Sequence, residues 1–520
     1  MLMTYSPANG HGLAPALRWL LIAVLFASLS GCGAFRSYRT EMEDTLSRVA
    51  SGDLKGAQKI VKRNSGGEDT DLLFHLETAE LRRLDGDLKG SFEALSSADA
   101  VIKAWEDAWR LNPTRSAANF GSYLLNDRVR TYEGHDFEKV LVTTRMAMNH
   151  LAEGDWDNAR VAIKRTHERE DLIAEIRAAE YRKVEEEARA RGVNPSVREI
   201  SGYPVQTLDT PEENALRNGY QNALSHYLAG FVYEALGEPS LSAPGYRKAI
   251  ELRPGQALLE KALAGLDDRV GAADDGFCDV LMVIETGSVA GRLSQSFSIP
   301  VPIVSSGVFI QIPVSFPVIP PEPPYVAPDV LIGHERPVEV AHILDLDTMA
   351  RRALKDEMPA IMLRAFVRSA SKAVAQYQMQ EQMTNRRRSQ EEALGSALAL
   401  IAMQIGGAVL EQADERGWRM LPSQVTLARV RLPRGQHAVS IRSSSGSTDF
   451  DVNLTARHAL VAVRLLRGRA FVSPVGAPGM APGVPGLQSA HAVTADEPLY
   501  AEVDTLEFPP PRSPSRRTVQ

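Results

Sequence analysis

The sequence predicts an α+β chain of several domains: a solenoid of paired helices, then a β-rich half carrying a helical insertion and a small β-sandwich. Three observations lead there. The pentapeptide GDLKG occurs at Gly52–Gly56 and again at Gly86–Gly90, 34 residues on. From about residue 276 the apolar residues run in short extended stretches instead of recurring at helical spacing. A content of 44% apolar and 24% charged residues over 520 positions is that of a folded chain long enough for several domains. The formal net charge of −7, with both signs mixed along the chain, argues against a nucleic-acid binder.

Residues 1–31 read as a signal peptide. Arg18 precedes the apolar run WLLIAVLFASL (Trp19–Leu29), too short to span a bilayer as a mature helix. The following Leu29-Ser30-Gly31-Cys32 resembles the bacterial lipoprotein box, in which the Cys32 thiol receives the lipid. By resemblance to Gram-negative lipoproteins, Gly33 in place of aspartate implies sorting to the outer membrane, on its periplasmic face. Burial of the acyl methylenes, at about 0.8 kcal/mol each, would make such an anchor effectively permanent. Residues 32–40 are then a lipidated tether, and Gly33 to Thr40 spans at most roughly 28 Å. The only other cysteine, Cys278, sits in the apolar run FCDVLMVIE and reads as a buried hydrophobe, so lipidation of Cys32 leaves no internal disulfide.

Residues 41–270 carry the repeat. Aligned on Gly52, Gly86, Gly154 and Gly237, the chain shows small residues seven places before (Thr45, Ala79, Ala147, Gly230) and five places after (Ala57, Ser91, Ala159, Ser242). Nine places after stand Val61, Leu95, Ile163 and Tyr246, all large. Closely packed helix pairs need small residues where backbones approach and large ones where the next pair must be filled. The period resembles the tetratricopeptide repeat, a stack of antiparallel helix pairs. The last unit matches that family best, at Gly230, Tyr233, Gly237, Tyr246, Ala249 and Pro254, with His226 at the first-helix aromatic position. A unit near Gly121 is expected but hard to register. Stacked pairs form a groove that binds an extended or helical peptide, unless the chain's own C-terminal half fills it.

Two further segments carry a second resemblance. YEGHDFEKVL (Tyr132–Leu141) and DERGWRMLP (Asp414–Pro422) are similar to Y-E-G-x-x-F-E-K-V-L and D-x-R-x-W-x-x-L-P segments of a poorly characterised family of Gram-negative outer-membrane lipoproteins. The matching residues include Tyr132, Gly134, Phe137, Glu138, Asp414, Arg416, Trp418 and Pro422. The resemblance implies location and architecture and brings no reaction with it. Phe137, Val140, Leu141 and Met148 can share one helical face. In an extended segment Asp414, Arg416 and Trp418 point one way, which permits Asp–Arg pairing or stacking of Arg416 on Trp418, a clamp at the entrance of a strand.

The second half divides into a β region with a proline-rich loop (276–345), a helical region (346–412), a small β-sandwich (413–473) and a disordered tail (474–520). Pro359 is expected to break or kink the helix, and Asp347 to cap its start. Ala393–Leu410 is uncharged and reads as a buried helix, or as a membrane or interhelical seam. GSVAG (Gly287–Gly291) reads as a hairpin turn, not a nucleophile elbow. Eleven scattered histidines give no metal signature, so no metal, no cofactor beyond the covalent lipid on Cys32 and no catalytic residue are expected.

The expectation is a non-enzymatic, outer-membrane-anchored periplasmic lipoprotein. It would serve as a protein-interaction scaffold or accessory factor for a cell-envelope complex through its repeat groove, with a protein partner and no nucleic acid. The alternatives are an envelope hydrolase or glycan-binding protein with its site in the C-terminal half, and an oligomeric assembly or export component.

Overall fold

The structure is a computed structural model that describes residues 38–64, 71–111, 131–190, 202–303, 308–321, 323–385 and 413–478. Cys32, Gly121, Ala393–Leu410 and the tail beyond residue 478 lie outside the described residues. Helices fill the N-terminal half and β-sheets the C-terminal half.

Eight helices form four pairs: α1 (Tyr38–Ser51) with α2 (Leu54–Asn64), α3 (Leu72–Leu84) with α4 (Leu88–Leu111), α5 (Asp136–Ala152) with α6 (Trp156–Ala190), and α8 (Ala223–Ala235) with α9 (Pro239–Leu252). A short α7 (Pro211–Ala215) precedes the last pair; α10 (Ala257–Ala264) and α11 (Leu266–Gly271) follow it. The four reference glycines occupy one equivalent bend. Gly52, Gly86, Gly154 and Gly237 have φ of 82°, 77°, 80° and 75°. In each case the glycine N–H donates three residues back and the next N–H donates five back, as in Gly86 to Arg83 (3.1 Å) and Asp87 to Arg82 (2.9 Å). This is a helix C-terminus closed by a left-handed residue, where a side chain would strain the backbone. The aspartate of GDLKG then starts the next helix: Asp53 and Asp87 each accept the N–H of the phrase's final glycine at 2.8 Å.

The three aligned columns are buried. Thr45, Ala79 and Ala147 are 0% exposed, as are Ala57, Ala159 and Ser242. Gly230 has no room for a side chain, because a Cβ there would meet the Tyr246 ring at 2.5 Å. Helix α5 is buried on every side except at His150, so the single apolar face expected for it is too narrow a reading. Its polar residues are bonded inward, Asn149 to Ser91 (2.9 Å), and Thr166 of α6 donates to Thr143 (2.8 Å).

The β-rich half has strands β1 (Phe277–Thr286), β2 (Leu293–Ile303), β3 (Val308–Val318), β4 (Asp329–Ile332), β5 (Arg336–Val338) and β6 (Val340–Asp345). Helix α12 (Leu346–Asn385) follows, then β7 (Gln424–Pro433), β8 (Gly435–Ser443), β9 (Gly446–Leu454), β10 (His458–Leu466) and β11 (Arg469–Val472). One sheet has the order β11-β10-β1-β7-β6, with β1 and β10 parallel; another has the order β5-β4-β8-β9; β2 and β3 pair by themselves. One face of the five-stranded sheet shares an apolar core with the four-stranded sheet, through Val280, Met282, Val461, Ile441 and Val452. Its other face, through Leu281, Val283, Leu427 and Leu460, joins the core of the helix pairs. Cys278 is fully buried and burial pushes its thiol up to about 12, the small-hydrophobe role expected.

Several expectations change. Strands from 276–345 and 413–473 interleave, since β1 lies between β10 and β7, so the last five strands do not form a unit of their own. The chain is helical from Tyr38, inside the expected tether. Pro359 lies within an uninterrupted helix. That helix is capped by Asp345, which accepts Thr348 N–H at 2.8 Å, whereas Asp347 accepts the N–H of Ala290 (2.7 Å). Gly287–Gly291 links β1 to β2, which belong to different sheets and form no hairpin. The first residues of the expected tail are held on the sheet: Gly476 pairs through its N–H and carbonyl with Leu460.

Candidate functional site

The two resemblance segments, far apart in sequence, meet where the helix layer joins the sheet. Gly134 (φ 78°) turns the chain into α5. Glu138, 1% exposed in the first turn of that helix, accepts three hydrogen bonds: His135 N–H (2.9 Å), the Tyr132 hydroxyl (2.5 Å) and Trp418 N–H (2.7 Å). Glu77 on α3 takes the next two amides, Arg419 (2.7 Å) and Met420 (3.0 Å). Three consecutive backbone N–H groups are thus held by glutamates from the first helices of the second and third pairs. Buried amides must find acceptors, and among the described residues no strand pairs with this segment to supply them.

Tyr38 extends the joint. Its hydroxyl lies 2.6 Å from Glu77 Oε1 and 2.5 Å from the Gly417 carbonyl. One hydroxyl hydrogen cannot serve two acceptors. If the Glu77 carboxyl carries a proton, it donates to Tyr38 and Tyr38 donates to Gly417, and every atom is matched. Burial pushes this carboxyl up to about 8, against the opposing bonds from Tyr38, Arg419 and Met420. The unfolded carboxyl loses its proton near its ordinary value of 4.5 and the folded one near 8, so between these the unfolded chain binds fewer protons. Stability is therefore expected to fall as pH rises through that window, by up to roughly 1.4 kcal/mol per pH unit. In Glu77→Gln this part of the slope should vanish, as read from urea midpoints between pH 5 and pH 8 (about the window itself). An unchanged slope in the variant contradicts the assignment.

Asp414 and Arg416 form a bidentate pair at 2.7 and 2.8 Å. The expected stacking of Arg416 on Trp418 does not occur. The guanidinium carbon lies over the Tyr132 ring, 5.3 Å from its centroid, because Trp418 is 1% exposed and turned into the core. Pro422, also buried, precedes β7, so the pairing does stand at a strand entrance. Phe137 lies in the core beside them.

A cleft of about 180 Å³ opens beside this joint, lined by Tyr132, His135, Arg177, Arg292, Glu357 and Asp414 among others. His135 Nδ1 faces Glu357 Oε1 (3.3 Å) and Nε2 faces the Arg416 carbonyl (3.2 Å). Both neighbours can only accept, so both ring nitrogens carry protons. Burial and Arg292 push the His135 pKa down, but Glu138 and Glu357 outweigh them and the net shift is upward. Burial opposes ionisation of Glu357, yet Arg292, His135 and Arg177 hold its carboxyl well below the usual range; Arg292 donates to it at 3.0 Å. An imidazolium between two acceptors holds the joint together and has no lone pair for general-base work.

A comparison of the chain with known protein families and with curated proteins finds no match. The lipoprotein resemblance therefore rests on the residues of the two segments alone.

Of the residues matched to the repeat family, Tyr246 serves the same layer-to-layer joining. Tyr246 donates to Glu234 (2.6 Å), and Arg429 of β7 reaches both Glu234 (2.7 Å) and the Tyr246 hydroxyl (2.9 Å). Tyr233 is half-buried against the core, Ala249 is buried, and Pro254 is exposed just past the end of α9. Glu234, Asp279 and His458 come close enough together to suggest a metal trio. The two carboxylates are instead held by guanidiniums, Glu234 by Arg269 (2.6 Å) and Arg429, and Asp279 by Arg429 (2.9 Å). Arg429 occupies the space that a cation would need. Glu77, His135, Arg292 and Glu357 were not singled out in the sequence. The one available signal was Glu77, an ionisable residue within the apolar run LLFHLETAEL.

Proposed function

We propose that the chain is an outer-membrane-anchored periplasmic lipoprotein, an accessory protein of a cell-envelope complex, whose contact surface is the second-helix face of a tetratricopeptide-like stack. The equivalent glycine bends and the buried small-residue columns support the repeat reading. The carrying observation is where the groove goes. Glu77, Glu80, Glu138, Arg145 and Glu234 lie on the first helices, and each is bonded to the C-terminal half or pairs with a residue that is. The face expected to capture a peptide is filled by the chain's own sheet. A partner must therefore meet the outside of the stack, where Val161 on α6 and Leu241 on α9 are 53% and 51% exposed.

Tyr38 supports the anchored reading. It stands six residues after Cys32 and is bonded into the joint, so the body would hang within roughly 21 Å of the lipidated sulfur. A photo-crosslinking residue at 161 or 241, introduced in membranes, is expected to yield a discrete adduct, and one at exposed Arg336 on the β side is not. Adducts from position 336 alone contradict the reading of the contact face. Cys32→Ala is expected to release the chain from the membrane fraction; retention there contradicts the anchor. A hydrolase at this junction would need a titratable group free to move a proton, whereas His135, Glu357 and Arg292 are engaged with one another there.

A further inference from the structure

A second cavity, separate from the joint, lies between the turn of the second helix pair and the edge of the five-stranded sheet. It has a volume of about 480 Å³, within the range of small-ligand sites. Glu80, Arg83, Leu84 and Leu88 line one side; Arg464, Arg469, Phe471 and Val472 line the other. The strand register places Phe471 opposite Arg464 on β10 and Arg464 opposite Glu285 on β1, so one row of side chains crosses the sheet into the cavity.

The charges in this place do not balance. Arg145 is held between Glu80 (3.0 Å) and Glu285, which accounts for both buried carboxylates. Arg83 donates to the amide oxygen of Asn149, a neutral group. Arg464 is 4% exposed and donates once, from Nη2 to the Met420 carbonyl (3.1 Å), while its Nε and Nη1 have no hydrogen-bond partner. Arg469 spends its Nε on the Ala50 carbonyl (2.7 Å). Asp85, at the rim, is paired with Lys55. Three guanidiniums lining the cavity and Arg145 behind them thus meet two buried carboxylates. A buried guanidinium with idle donors is costly unless an anion joins it.

We propose that this cavity binds an organic anion, a carboxylate or phosphate group carried on an apolar chain, with the headgroup on Arg464, Arg83 and Arg469. The apolar part lies against Leu84, Leu88, Phe471 and Val472. Burial lowers the pKa of Arg464 to about 10 and that of Arg83 in the same direction, which is the mark of cations short of counter-charge. Charged N–H donors bind carboxylate and phosphate oxygens strongly, and Arg464 has two such donors idle, Nε and Nη1, one on each side of the Nη2 already given to Met420.

The test uses the full chain carrying Cys32→Ala, so that the lipid anchor cannot itself report membrane binding. Isothermal titration compares octyl phosphate, octanoate and octyltrimethylammonium. Octyl phosphate or octanoate is expected to bind and the cation not to. Arg464→Met and the half-exposed Arg469→Met should each weaken anion binding by at least about tenfold. In anion-free buffer Arg464→Met is expected to cost less stability than Arg145→Met, since Arg464 faces Glu285 only across the strand register and leaves two of its own donors idle. Flotation with phosphatidylglycerol vesicles, abolished by Arg464→Met, would assign the headgroup to a bilayer lipid. Octyl phosphate binding without flotation would assign it to a free anion. No binding of either anion, or equal binding by Arg464→Met and parent, overturns the proposal. So does a loss of thermal stability in Arg464→Met with no anion response in the parent, which would make Arg464 purely structural.

Discussion

Arg145→Met is expected to lower the free energy of unfolding by about 3–5 kcal/mol, the cost of stripping the partner from buried charges. Arg145 is 2% exposed, and its guanidinium bridges Glu80 on α3 and Glu285 on β1. Burial disfavours ionisation of Glu80 and raises its pKa despite Arg145, so the network is already strained on that side. Glu285 is held below the usual carboxylate range because Arg145, Arg83 and Arg464 outweigh its burial. The companion variant separates charge from shape. Arg145→Met with Glu80→Gln leaves Glu285 facing Arg83 and Arg464, and should recover more than half of the loss. Urea unfolding with a shared m-value is the measurement. A single variant that costs less than about 1 kcal/mol, the worth of an exposed pair, would show that the network does not join helices to sheet.

Glu138→Ala is expected to release the segment before β7. It removes the acceptor of three bonds and leaves the Trp418 amide and the Tyr132 hydroxyl buried without that partner, at about 1–3 kcal/mol for each orphaned group. The damage should be local before it is global. The amide hydrogen of Trp418 should lose protection, and Trp418 fluorescence should shift to the red as residues 413–421 open. Glu138→Gln should fall between, because an amide oxygen serves one side of the fork and its NH₂ faces a donor on the other. Full protection of the Trp418 amide in Glu138→Ala would refute the clamp.

An acid limb of opposite sign is expected from Glu234. Arg269, Arg429, Tyr246 and His458 outweigh its burial and hold the carboxyl well below the usual range. Its contribution is present above the unfolded value of 4.5 and is lost as pH falls below it. Stability against pH should therefore peak near pH 5 (about where the Glu77 and Glu234 limbs meet), and Glu234→Gln should flatten the acid side alone.

The helix pairs were legible because their signals are local. A left-handed turn demands glycine at 52, 86, 154 and 237 whatever packs around it, and close helix approach demands small side chains at fixed offsets from that turn. The strands were legible for a similar reason, since alternation and apolar runs are properties of a few adjacent residues. Their assembly was not. The order β11-β10-β1-β7-β6 inserts an early strand between late ones, and nothing within β1 specifies a parallel neighbour from far along the chain. Asp345 and Asp347 show the limit at the scale of one residue. Either could cap α12, and the choice fell to Asp345 because the Ala290 amide claims Asp347.

By itself, then, the sequence determined the glycine bends, the packing columns and the position of most strands. Only the tertiary structure decided that the sheet packs on the first helices of the pairs, that Glu77 and Glu138 hold the amides of residues 418–420, and that Arg464 is left with idle donors in a cavity. Turn and packing rules act over a few residues and leave a periodic trace in the chain. A buried charge is defined by which distant groups surround it, and that neighbourhood exists only after folding.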